Sequence, residues 1–143
     1  RYDDIYFLLC GNGIKDNLYD LVNDLGLSNK IILLNNRNDI PKILNTLNYF
    51  YFPSITEGQP NSLIEAMVSG LPIVASNIEP IQETVPDRFV KELIPPLCVE
   101  LAVKKITEIY YNENIHYNLQ DWSINKFNHK IVFNEFFEIL QRN

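Results

Sequence analysis

The sequence predicts an open α/β domain, a parallel sheet with helices on both faces. Three observations lead there. Short apolar runs lack the in-out alternation of half-buried strands. Segments with apolar residues at helical spacing separate those runs. Most runs end in a loop rich in Gly, Asn or Pro, as strand ends do in such folds. With 143 residues, the chain is expected to form a single domain over residues 1–143.

Ile5 to Cys10 is the first apolar run, followed by Gly11-Asn12-Gly13. Ile14, Leu18, Leu21, Val22 and Leu25 then recur at helical spacing, and Gly26 closes the segment. Lys30 to Leu34 is the second run, with the polar patch Asn35 to Asn38 behind it. Asp39 is placed to cap a short helix that has Pro41 in its first turn. Tyr49 to Phe52 is the third run, ended by Pro53. Pro60 opens a helix through Met67, and Gly70 then Pro72 end it. Ile73 to Ala75 is the fourth run, and Ile78 to Val85 reads as a turn with one short helical stretch. Leu93-Ile94 reads as a brief fifth strand before Pro95-Pro96. Helices are expected over Leu101–Tyr111 and Lys126–Gln141.

Composition excludes several classes. Twelve basic against eighteen acidic residues give a net charge of −6, which argues against nucleic acid as a partner. Cys10 and Cys98 are too few for a disulfide framework and fit a reducing compartment. No apolar run reaches the roughly 20 residues of a membrane span. An initial Arg1 leading straight into a strand suggests an excised piece of a longer protein. There is no P-loop, nucleophile elbow, Cys-x-x-Cys or Asp-x-Asp, and no metal site is expected. His116 and His129 are far in sequence from the loops and read as surface or packing residues. Gly11 and Gly13 lack the third Gly of a dinucleotide fingerprint, since Asp16 stands there. They read as a tight turn, or as backbone lining a nucleotide pocket.

Open parallel sheets bind ligands at the carboxyl ends of their strands. The loop Ser54–Gln59 lies at such an end and carries the most unusual chemistry. Glu57 sits in the loop, and Glu65 lies eight residues on, inside the next helix. Between them is a helix N-terminus, whose free N–H groups and dipole favour a diphosphate. Gly58 lets backbone approach a ligand closely. From the helix start to Glu65 is roughly 9 Å at about 1.5 Å per residue. That layout suits a ligand with hydroxyls at both ends and a diphosphate between. By spacing alone, the pair is equally read as an acid near a helix start and a solvated helix residue.

The run Glu57-Gly58-x-Pro60-Asn61-x-Leu63-Ile64-Glu65-Ala66-Met67-x-x-Gly70-x-Pro72-Ile73-Val74-Ala75-Ser76 closely resembles the hallmark stretch of family 4 glycosyltransferases. These are GT-B enzymes, and Glu57 and Glu65 match the two glutamates of their motif. Leu8 to Gly13 resembles the family's strand and Gly-Asp-Gly, with Asn12 at the Asp position. Glu83-Thr84-Val85 resembles its later Glu-x-Val. The similarity runs in order through about residues 5–100.

The resemblance implies the C-terminal, Rossmann-like, donor-binding half of a two-domain enzyme. It would transfer sugar with retention from a nucleotide-diphosphate sugar to a polysaccharide or glycolipid, without cofactor or metal. Glu65 would bind the ribose hydroxyls. Glu57, the catalytic candidate, would face the sugar's hydroxyls. N–H groups near Asn61, Ser62 and Leu63 would hold the distal phosphate. Gln59 would contact the sugar, and Arg37 with Asn36 would border the base. The Arg and Lys that the family carries before the first run are missing, as is the acceptor domain. The fragment alone is therefore expected to be inactive. A non-catalytic nucleotide-sugar-binding module of the same fold is the alternative. The last expected helix carries Phe133, Phe136, Phe137 and Leu140 on one stripe, widened by neighbouring apolar positions. Its partner could be the missing domain or a second copy in a dimer. The expected location is cytoplasmic, peripheral to the inner membrane face in the full-length protein.

Overall fold

The computed structural model describes residues 4–12, 16–112 and 118–130. Its elements run β1 (Phe7–Cys10), α1 (Asp16–Asp24), β2 (Ile31–Leu34), α2 (Ile40–Leu44), β3 (Phe50–Phe52), α3 (Asn61–Val68), β4 (Ile73–Ala75), α4 (Glu79–Thr84), α5 (Asp87–Val90), α6 (Val99–Tyr111) and α7 (Leu119–Lys126). Contacts divide the chain into two compact units, residues 1–40 and 41–143.

The first unit holds the parallel pair β1 and β2, in register from Phe7 opposite Ile31 to Cys10 opposite Leu34. Parallel pairing puts both following loops at the same end of the pair. α1 ends in a Schellman motif. Gly26 takes φ +66°, its N–H is donated to Asn23 O (2.9 Å), and the Leu27 N–H to Val22 O (2.9 Å). Among the described residues of this unit, Val22 is the only buried apolar side chain, while Leu21 and Leu25 are exposed.

The core lies in the second unit. β3 and β4 pair in parallel, Phe50 opposite Ile73 through Phe52 opposite Ala75. All three β4 residues are buried, as a continuous Ile-Val-Ala run requires. Val74 and Ile94 pack with Ala102 and Ile106 of α6, and Tyr49, Tyr51 and Ile109 pack against that cluster. Ala102, Ile106 and Ile109 recur at helical spacing, so α6 turns one stripe onto the sheet.

α3 follows the same logic. Leu63, Ala66 and Met67 share one face and are fully buried. Asn61, Ser62 and Glu65 are exposed. Gly70 at φ +81° ends the helix. Its N–H is donated to Met67 O (3.0 Å), and the Leu71 N–H to Ala66 O (3.1 Å). α7 packs on α3, and Gln120 Nε2 donates to Val68 O at 2.9 Å.

Four expectations change. The fifth strand shrinks to one parallel bridge, Ser76 with Ile94. Pro95 and Pro96 have no N–H to extend the ladder. Lys126 ends α7 rather than starting a helix. Residues 129–130 are helical, and 131–141, with the phenylalanine stripe, lie outside the described residues. α5 and α7 were not anticipated: α5 is four residues long, and α7 has weak periodicity with a buried serine, Ser123. Finally, the Asp39 carboxylate is held by the Arg37 guanidinium, at 2.8 and 2.7 Å.

Candidate functional site

β3 ends at Phe52, and Pro53 turns the chain out of the strand. Residues 54–60 form the loop that leads into α3. Ser54 and Glu57 are half-buried, while Thr56, Gly58 and Gln59 are exposed. Ser54 Oγ donates to Glu57 Oε1 at 2.5 Å and lies 3.3 Å from Thr56 O. The carboxylate is therefore held from inside the loop.

At the helix start, Pro60 is buried and occupies the capping position without a side-chain hydrogen bond. The Asn61 N–H is donated to Gln59 O (2.9 Å), and the Leu63 and Ile64 N–H groups to Pro60 O (3.0 and 3.1 Å). Among the described residues, no backbone carbonyl takes the Ser62 N–H. One donor thus stays open at the positive end of the helix dipole. The Leu63 side chain is fully buried, so only its backbone could meet a ligand. Glu65 is exposed, four residues beyond Asn61 and on the same face. The rise between them is about 6 Å.

Seven of the eight site residues named from the sequence, Glu57, Gly58, Gln59, Asn61, Ser62, Leu63 and Glu65, thus belong to one loop–helix segment of the second unit. The eighth, Arg37, belongs to the first unit. It is exposed, and the pair with Asp39 raises its pKa and lowers that of Asp39. His129 is exposed, and His116 and Gly13 lie outside the described residues. No three His, Cys, Asp or Glu side chains gather to hold a metal ion among the described residues. A shallow cavity of about 320 Å³ lies elsewhere, between Arg88, Phe89, Lys91 and Glu92. Glu92 there is bonded to Lys105 at 2.5 Å.

Residues 1–126 match the family described as glycosyl transferases group 1. The chain belongs to that family. One relative is an Escherichia coli UDP-Gal:alpha-D-GlcNAc-diphosphoundecaprenol alpha-1,3-galactosyltransferase. It is 40% identical over 77 residues, which is 52% of this chain and 20% of that protein. An uncharacterised glycosyltransferase of Methanocaldococcus jannaschii is 33% identical over 79% of this chain and 26% of its own length. The chain therefore spans about a quarter of the length of these relatives. Among solved structures, Anabaena HepE in complex with UDP superposes with a TM-score of 0.87 at 21% identity, over 99% of this chain and 42% of that one. A Rickettsia africae glycosyltransferase gives 0.84 at 21% identity, over 99% and 41%. These likenesses show the fold of the chain: α/β and Rossmann-like, as in GT-B enzymes.

Sequence reading missed two parts of this site. Ser54 lies in the loop singled out from the sequence but has no role assigned there, although a serine three positions before a loop glutamate is a donor within its reach. Gln120 gives no sequence signal, because its contact with α3 spans 52 residues.

Proposed function

We propose that this chain is the C-terminal, donor-binding domain of a family 4 retaining glycosyltransferase. It binds a nucleoside-diphosphate sugar in the loop–helix segment from Glu57 to Glu65. The observation that carries this reading is the open Ser62 N–H at the start of α3, flanked by the carboxylates of Glu57 and Glu65. Ser62 takes the distal phosphate; the Asn61 and Leu63 N–H groups join it only by releasing Gln59 O and Pro60 O. Glu65 accepts from the ribose hydroxyls, as acidic residues do in dinucleotide folds. Glu57 faces the sugar hydroxyls as the catalytic residue, with Gln59 beside it and Gly58 allowing close approach. The UDP-galactose donor of the Escherichia coli relative favours uridine diphosphate as the nucleotide.

Mechanistically, charge builds on the leaving diphosphate and on an oxocarbenium-like sugar. The segment contributes positioning and electrostatic stabilisation, with no metal required. The acceptor is a glycan or glycolipid bound by a further domain, so the isolated chain binds donor without turnover. The full-length enzyme works on the cytoplasmic side, at the inner membrane surface.

Calorimetric titration with UDP, GDP and their sugars tests the reading. Wild-type chain is expected to bind one nucleotide class selectively, and Glu65→Ala to weaken it about 10–100-fold, the worth of one or two hydrogen bonds to a charged group. Equal affinity in wild type and Glu65→Ala would refute the site. No binding at millimolar ligand would refute donor binding by this chain.

A further inference from the structure

We propose that Ser54 is a positioning residue for Glu57, setting the carboxylate in place before a sugar arrives. The inference rests on the reading that Glu57 faces the donor sugar. A serine hydroxyl has one proton to donate. Of its two acceptors here, the Glu57 carboxylate is nearer, 2.5 Å against 3.3 Å to Thr56 O, and charged. Charged acceptors draw the shorter and stronger bond. The proton therefore goes to Glu57 Oε1.

Ser54 is half-buried, one residue after Pro53, whose ring fixes the backbone as the chain leaves β3. A glutamate otherwise samples three torsions, and ordering it on binding subtracts from affinity. With Oε1 tied to Ser54, that ordering is already done. No described residue donates to Oε2, so this oxygen keeps its lone pairs for sugar hydroxyls. The effect is confined to the sugar end of the ligand, because the phosphate meets the start of α3 and the ribose meets Glu65.

The test compares the chain's affinity for UDP with that for the tightest of UDP-glucose, UDP-galactose and UDP-N-acetylglucosamine. Wild type is expected to gain affinity from the sugar, and Glu57→Gln to lose that gain. Ser54→Ala is expected to weaken the UDP-sugar about tenfold and leave UDP unchanged. Ser54→Thr, which keeps the hydroxyl, should restore the gain. Should Ser54→Ala fail to fold, Ser54→Cys keeps the side chain's shape with a slightly larger atom and a weaker donor and should give the same selective loss. An unchanged sugar gain in Ser54→Ala, with the gain lost in Glu57→Gln, overturns the role of Ser54 alone. Equal losses for UDP and UDP-sugar also overturn it, since they mark a merely structural residue. A sugar gain that survives Glu57→Gln overturns the placement of Glu57, and this inference with it.

Discussion

Gln120 ties the far end of the candidate site helix to α7, and replacing the neighbouring Gly70 with alanine should show how firmly. The Gly70 φ of +81° lies where L residues are strained. Alanine there costs about 1–2 kcal/mol, less the roughly 0.5 kcal/mol by which it stiffens the unfolded chain. A second cost comes from space. A Cβ at Gly70 meets the Gln120 side chain at 3.2–3.4 Å, and Gln120 must give way. That loosens its 2.9 Å bond to Val68 O, worth about 1 kcal/mol. Gly70→Ala should therefore cost about 2 kcal/mol in wild type and only about 1 kcal/mol in a Gln120→Ala background. Urea denaturation of the four proteins of this cycle measures both values. Equal costs in the two backgrounds would refute the Gln120 contact. A cost near zero would refute the left-handed backbone at Gly70.

Two further outcomes follow from strained or unsatisfied groups. Leu97 has φ +63° and follows Pro96 in a turn closed by the Cys98 N–H to Pro95 O bond (3.2 Å), a place that favours glycine. It is also 80% exposed. Leu97→Gly should raise stability by about 0.5–1 kcal/mol, strain relief outweighing added unfolded-state freedom, and a lower thermal midpoint would sink that expectation. Tyr49 Oη is buried without a hydrogen-bond partner among the described residues, and burial raises its pKa, as it does that of Tyr51. As pH rises through the unfolded tyrosine value near 10, the unfolded state loses its proton first, so stability falls until the folded group also ionises. Tyr49→Phe should gain about 1 kcal/mol at neutral pH and soften this alkaline loss. Identical alkaline melting curves for both proteins would count against it.

Much of the fold was legible because the signals are local. β4 is a continuous apolar run and is wholly buried. Gly26 and Gly70 stand just past α1 and α3, where a left-handed residue ends a helix. The candidate site was legible because its named residues, Arg37 apart, fall within nine consecutive positions. What was misread depends on contacts distant in sequence, or on competition between partners. Asp39 could have capped α2, but the Arg37 guanidinium two residues away engages its carboxylate. The fifth strand has the right apolar pair, yet its prolines stop the ladder after one bridge.

The sequence by itself determined the α/β class, the order of most elements and the loop–helix segment that carries Glu57 and Glu65. Periodicity, turn residues and motif spacing are properties of the chain, and they survive without coordinates. Only the tertiary structure decided which donors remain open and which side chains are held. Hydrogen bonds compete for the same groups: Gln59 O and Pro60 O take the Asn61 and Leu63 N–H groups and leave Ser62. Ser54 takes Glu57, and Gln120 reaches back to the end of α3. Such choices depend on distances of a few tenths of an ångström, which residue order does not encode.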